Sequence, residues 1–110
     1  MSAKYWQRGE AIDYTATDAL ANGDVVDLAT RIGVAGDDIP AGETGTVHIV
    51  GVFEIPKATG AVTVGQALYW DKMAKNITTA AGSSPANTPA GWAVAAAAAN
   101  DATVLVKLLG

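Results

Sequence analysis

The segment Thr44-Gly-Thr-Val-His-Ile-Val-Gly-Val-Phe-Glu-Ile-Pro-Lys57 is the part of this chain that most constrains its fold. Its centre, Val47–Phe53, is rich in β-branched residues and is flanked by glycine and proline, which predicts a β-strand. Successive side chains of a strand point to opposite faces, so one face of this strand is wholly apolar. The other face is polar at its ends and apolar at Val50 and Val52. We therefore expect cover on both faces, with another subunit as a candidate for the second.

Further short strands are predicted on both sides of this segment, at residues 11–15, 25–26, 31–34, 68–70, 76–79, 91–96 and 103–109. A recurring unit precedes three strands, with its glycine at Gly23, Gly42 or Gly65 and a hydrogen-bonding side chain after it. Glycine adopts the positive φ that tight turns often need. The fold class is therefore all-β, a small barrel or sandwich of about seven to eight short strands with glycine-rich turns.

Three stretches rich in small residues allow more than one interpretation. Residues 80–90 are low in complexity and contain two prolines, which predicts a mobile surface loop. Residues 93–99 include six alanines and have helical propensity, but seven residues are too few to hold a helix alone. We therefore favour a strand at 91–96. Residues 16–21 form either a loop or one helical turn.

The composition favours one domain with a thin core. The 110 residues are a typical domain length, and half are hydrophobic, but many of these are alanine. We expect a single β domain over residues 10–110, preceded by a mobile N-terminal arm over residues 1–9. Because alanine buries little area, oligomerisation is expected to supplement the core.

The reactive residues do not form a catalytic or metal-binding pattern. The chain has no cysteine and one histidine, His48, so the usual nucleophilic triads and zinc sites lack their residues. The aspartates at 24, 27, 37 and 38 lack the spacing of a calcium loop and are expected in turns. We predict that the chain is not an enzyme and has no catalytic, cofactor-binding or metal-binding residues and no cofactor.

The charge distribution argues against nucleic-acid binding. Seven basic residues are scattered through a chain of net charge −4, whereas nucleic-acid binding usually shows a basic cluster. The start of the chain has no apolar run typical of a secretory signal, and no stretch is long enough for a membrane helix. We therefore expect neither nucleic acid nor membrane as a partner.

The order of the landmarks resembles a known family. The landmarks are GEAIDYT (9–15), NGDVV (22–26), IPAGETG (39–45), VGVFEIPKA (50–58), GQALYWD (65–71) and GWAVA (91–95). Together they resemble a small domain-of-unknown-function family encoded beside capsid genes in tailed phages and prophages. Members are often labelled predicted RecA/RadA phage recombinases, but this chain lacks the phosphate-binding loop that such a label requires. The resemblance instead implies a tailed-phage head-decoration, or capsid cement, protein.

This resemblance implies a structural virion protein that decorates and stabilises the capsid. It places the protein on the capsid surface of the virion, after assembly in the host cytoplasm. The implied partners are the major capsid protein and further copies of the chain, in a homotrimer by analogy with other decoration proteins.

The aromatic and apolar residues supply the candidate contacts for this role. Tyr5 and Trp6 on the arm either anchor to the capsid, since aromatic residues are the usual anchors, or pack on their own domain. The residues expected at a subunit interface or in the core are Val50, Val52, Phe53, Trp70 and Trp92. The alternative function is a virion-surface adhesion or carbohydrate-binding module, for which the nearest candidates are Tyr69, Trp70 and Asp71.

Overall fold

The computed structural model describes residues 2–82 and 86–109, and this part of the chain contains nine strands. They are β1 (Ala11–Thr15), β2 (Val25–Asp27), β3 (Ile32–Ala35), β4 (Thr44–His48), β5 (Val52–Pro56), β6 (Ala67–Asp71), β7 (Asn76–Thr78), β8 (Thr88–Ala93) and β9 (Thr103–Leu108). Two antiparallel sheets result, in the orders β1-β4-β3-β2 and β5-β9-β8-β6-β7. The predicted all-β sandwich is confirmed, with more strands than expected and no closed barrel.

The segment Thr44–Lys57 forms two strands and not one. β4 ends at His48 in the first sheet, and β5 begins at Val52 in the second. Between them Gly51 has a φ of 125°, a conformation that L side chains rarely adopt. The prediction of a continuous strand from Val47 to Phe53 is therefore wrong, because the chain leaves the first sheet after His48 and enters the second at Val52. Val47 and Phe53 accordingly pack in different apolar clusters.

β8 corrects the predictions for residues 80–96. Residues 88–90 were expected in a mobile loop, but they begin β8, and Thr88 and Ala90 are buried. Pro89 is accommodated because the pairing of β8 with β6 shifts register there, and proline in sheets is found mainly at edges and bulges. Residues 83–85 lie outside the described residues. The strand predicted at 91–96 ends at Ala93, and residues 94–99 form no helix, as predicted.

The two sheets repeat one topology. Residues 10–49, the first half, pair as β1-β4-β3-β2, and residues 51–109, the second half, pair as β5-β9-β8-β6 with β7 added at one edge. The register repeats as well. The matching pairs are Ile12/Val47 with Phe53/Val106, Ala35/Val47 with Ala93/Val106, and Val25/Val34 with Ala67/Trp92.

Backbone hydrogen bonds outside the strands also recur in both halves. The matching bonds are Gly23 N to Ala35 O (2.8 Å) with Gly65 N to Ala93 O (2.7 Å), Ala35 N to Asp24 O (2.9 Å) with Ala93 N to Gln66 O (3.0 Å), and Ile49 N to Glu10 O (3.1 Å) with Leu108 N to Gly51 O (3.0 Å). Each half also joins two loops by one antiparallel bridge, Leu20 with Ile39 and Val62 with Ala97. Residues of the two halves can therefore be equated position by position.

A tight turn follows each of the four bridged residues and leads into a strand. Three of these turns contain the predicted glycines, Gly23, Gly42 and Gly65, at φ values of 93°, 83° and 85°. In the fourth turn, which spans 98–101, Asn100 holds the glycine position, and its φ is not positive. The sequence predicted a turn at Asn100-Asp101, which is confirmed, but without a glycine it did not show the recurring unit.

Each half has its own apolar core, and the second core includes residues of the first half. The smaller core contains Ala16, Val26, Ala35, Ile39 and Val47. The larger core combines the inward side chains of β5, β6, β7, β8 and β9 with Ile32 and Val34 from β3. Asp27 also links the halves, since its Oδ1 accepts a hydrogen bond from Thr88 Oγ1 at 2.9 Å and its Oδ2 lies 3.7 Å from Lys72 Nζ. The first half therefore packs one face of β2 and β3 against the second.

Candidate interaction surfaces

Histidine and lysine often serve in catalysis in other proteins, but in this chain His48 and Lys57 make structural contacts. His48 is exposed, with its ring centroid 6.3 Å from that of Phe53. Lys57 is buried, and its Nζ donates to the carbonyl oxygens of Ala58 (3.0 Å) and Ala99 (3.2 Å), which joins two loops. Within residues 2–82 and 86–109, no three His, Asp or Glu side chains group as a metal site. The same residues contain no helix that is long and apolar enough to cross a bilayer.

The N-terminal segment carries two exposed aromatic side chains. Residues 2–9 have no regular secondary structure before β1 begins. Tyr5 and Trp6 are each 84% exposed, so neither is covered by its own domain. Lys4 and Arg8 flank them, and the Gln7 side-chain amide donates to Ala11 O at 3.2 Å. The segment therefore presents apolar and basic groups together, and its boundary as an arm remains a prediction.

A second apolar surface lies on the outer side of the second sheet. Its centre, here called the back face, consists of Ala67, Tyr69, Pro89 and Trp92, and it faces away from the larger core. Trp92 is 44% exposed. Lys107 lies opposite Trp92 on one side and opposite Val52 on the other, which extends the row across four strands. Leu105, on the same side of β9, is also exposed.

The chain matches the model of a phage cement protein family over residues 6–108. It belongs to that family. Membership gives this cement protein a structural, capsid-associated role and a location on the virion capsid, which confirms the resemblance noted in the sequence. Searches of curated proteins and of solved structures found no match.

The structure separates the predicted interface residues of the cement protein into three positions. Trp70 is 8% exposed and lies in the larger core, against which Phe53 is partly buried. Val52 (51% exposed) and Trp92 lie on the outer side of the second sheet. Val50 (39% exposed) lies at the crossing between the sheets, outside any strand. Their participation in subunit contacts stays a prediction.

Sequence reasoning missed part of the apolar surface of the cement protein. Period-two alternation along β9 places Val104, Val106 and Leu108 inside and Leu105 outside, so the sequence carried a signal for this residue. Pro89 was hidden by its assignment to a loop. Ala67 gave no signal of its own, because a single alanine is as common in a core as on a surface.

Proposed function

We propose that this cement protein stabilises the capsid lattice by binding the shell and further copies of itself through apolar β surface. The observation that supports this most directly is the area left exposed. The chain exposes 6661 Å², whereas a compact monomer of its mass would expose about 5,700 Å². The excess, about 1,000 Å², is close to the ~800 Å² that one partner contributes to a standard interface.

The dimensions of the chain support the same conclusion. Its radius of gyration is 14.6 Å, against about 13 Å for a compact domain of this length. Since the N-terminal aromatics lie away from the domain, the extended segment accounts for part of the excess surface. Ordering such a segment costs conformational entropy, which a partner surface can offset.

The N-terminal segment is the proposed anchor to the major capsid protein. Aromatic side chains are enriched among the residues that dominate binding energies, and Tyr5 and Trp6 are adjacent and exposed. An extended segment can also add as a strand to an open sheet edge on a partner. The remaining apolar surface, on the second sheet, is proposed for contacts between copies in a homo-oligomer, with a trimer as the expected state.

Deletion of residues 1–8 tests the anchor. We expect a folded, oligomeric protein that no longer binds phage heads lacking their cement protein, measured by co-sedimentation, with circular dichroism and light scattering as controls for fold and mass. Within the full chain, Trp6→Ala is expected to weaken binding strongly and Lys4→Ala only slightly, because a flexible surface charge contributes little. Unchanged occupancy on heads after the deletion would exclude the anchor.

The contacts do not favour the alternative of a carbohydrate-binding module. Trp70 lies in the larger core, where its ring cannot stack on a sugar. Asp71 Oδ1 accepts hydrogen bonds from the backbone of Met73 (2.9 Å) and Ala74 (3.1 Å) within a turn. Tyr69 lies on the back face and, like Asp71, is only partly exposed.

A further inference from the structure

The core of the first half is open at positions where the core of the second half is closed. Five residues around the smaller core are only partly buried: Ile12, Tyr14, Leu20, Leu28 and Ile49. Their equivalents in the second half, in the same order, are Phe53, Ile55, Val62, Trp70 and Leu108. The last four of these are 0–8% exposed. The same positions of one repeated fold are therefore covered in one half and partly uncovered in the other.

The first half supplies much of the cover for the second. Ile32 and Val34 point away from the core of their own half and join the larger core, together with Ile77 of β7. Val34 also lines a cleft of about 340 Å³ with Phe53 and Ile55, which places it beside the rim of the second core. Within one chain, the outer face of β2 and β3 thus packs against the core side of the second half.

The equivalent outer face of the second half has no such cover within the described residues. Val25, Asp27, Ile32 and Val34 of the first half correspond to Ala67, Tyr69, Pro89 and Trp92, which form the back face. Val34 is 6% exposed, but its equivalent Trp92 is 44% exposed. Inside one chain, the outer face of β2 and β3 covers the core side of the second half. The core side of the first half and the back face, which are the equivalent surfaces, stay without a partner within the described residues.

We propose that cement protein copies join head to tail, with the back face of one chain covering the open core of the first half of the next. This inference rests on the self-association proposed above and names its surfaces. The partner that covers the back face is a second copy of the chain. The reason is that the outer face of β2 and β3, which is equivalent to the back face, already packs against the core side of the other half within one chain. The nine residues that form the two surfaces carry no formal charge, and Lys107, which borders Trp92, donates its Nζ to Leu108 O at 2.9 Å.

A head-to-tail contact has a geometric consequence. It joins two different surfaces, so each copy keeps one of each free until a ring closes. A contact around a two-fold axis would instead bring two back faces together. The two arrangements therefore predict different pairs of residues in proximity between chains.

Crosslinking between engineered cysteines distinguishes these arrangements, since the native chain has no cysteine. Trp92→Cys marks the back face. Ile12→Cys marks the open core, because Ile12 is the equivalent of Phe53, which lines the cleft with Val34. We expect a short bismaleimide to link the two variants when they are mixed, and neither variant to link with itself. Met73→Cys, exposed in the turn between β6 and β7, is the control and should give no product with either.

Two results would overturn the proposal. One is the absence of the mixed product, with circular dichroism showing both variants folded; the other is efficient self-linking of Trp92→Cys. A second measurement avoids the cysteines: Trp92→Glu should reduce the molar mass in solution to that of one chain, and an unchanged mass would count against the contact.

The failure of this proposal is distinguishable from failure of the proposed function. Crosslinking and molar mass are measured on the purified protein alone, whereas co-sedimentation with heads measures capsid binding. A chain that binds heads without the mixed crosslink refutes the head-to-tail contact, and a chain that crosslinks without binding heads refutes capsid stabilisation.

Discussion

The two halves of this cement protein share one topology and differ in which face is covered. In the first half, the outer face of β2 and β3 is buried against the neighbouring half, and the core rim is partly open. In the second half, the core is closed and the outer face is exposed. The comparison shows that the fold of the unit does not decide which surface becomes an interface. Which face of each half is buried depends on what packs against that half.

The second half also closes its core with residues that the first half lacks. β7 has no equivalent in the first sheet, and its Ile77 lies opposite Trp70 in the larger core. The equivalent of Trp70 is Leu28, which has no added strand beside it and stays partly buried. The hairpin of β6 and β7 thus covers part of the second core, and the first core has no equivalent cover within the described residues.

The largest expected effect distinguishes two equivalent glycines. A Cβ at Gly91, which has a φ of 150°, would clash with the backbone carbonyl oxygen of Lys107. A Cβ at Gly33 would meet the side-chain Cγ1 of the buried Val47 at 2.5 Å and the backbone oxygen of His48 at 3.0 Å, so its closest contact is a side chain and not the backbone. We expect Gly91→Ala to lower the free energy of unfolding by more than about 4 kcal/mol, against about 1–3 kcal/mol for Gly33→Ala.

Urea denaturation followed by circular dichroism measures both glycine variants. Because small domains have only about 5–15 kcal/mol of stability, this loss removes a large part of it, and Gly91→Ala is expected to unfold at a clearly lower urea concentration. Equal losses for the two glycines would contradict the difference in packing between the halves.

A smaller effect separates Leu108 from its equivalent Ile49. Leu108 is fully buried, so Leu108→Ala should cost about 2–5 kcal/mol of unfolding free energy. Ile49 is partly buried, and Ile49→Ala should cost about half as much, since fewer contacts are lost. The measurement is denaturation at low protein concentration, where copies are apart. If the head-to-tail contact forms, the cost of Ile49→Ala should rise at high concentration, whereas that of Leu108→Ala should not.

The sequence predicted the individual strands and turns of this chain, but it did not predict that the chain consists of two halves with the same topology. The strands predicted at 11–15 and 103–109 are confirmed as β1 and β9, and apolar residues alternate with polar or exposed ones along them because each has one covered face. The recurring glycine unit marked three of the four turns. It did not show that the turns belong to two equivalent halves, because the fourth carries Asn100 and because β7 lengthens the second half.

The main error in the predicted fold was that the change of sheet at Gly51 was missed. The predicted surface residues were also not separated correctly from core residues. Val47 and Phe53 were predicted on one face of one strand, but the chain changes sheet between them, so they pack in separate cores. Trp70 and Trp92 were grouped together, although their strands place one inside and one outside. Sequence alone did not distinguish them, since a tryptophan is suited to a core and to an interface alike.

The smallest expected effect compares the turns of the two halves. Gly42 has a φ of 83° and open space around its Cβ position, so Gly42→Ala should cost about 1–2 kcal/mol of unfolding free energy through backbone conformation alone. Asn100 occupies the same place in the turn that ends at Asp101, with a φ that is not positive. Asn100→Ala should therefore change stability by less than about 0.5 kcal/mol. Thermal or urea denaturation resolves this difference. A loss at Asn100 as large as that at Gly42 would mean that the fourth turn needs its own side chain, and that the two halves diverged in turn chemistry as well as in surface.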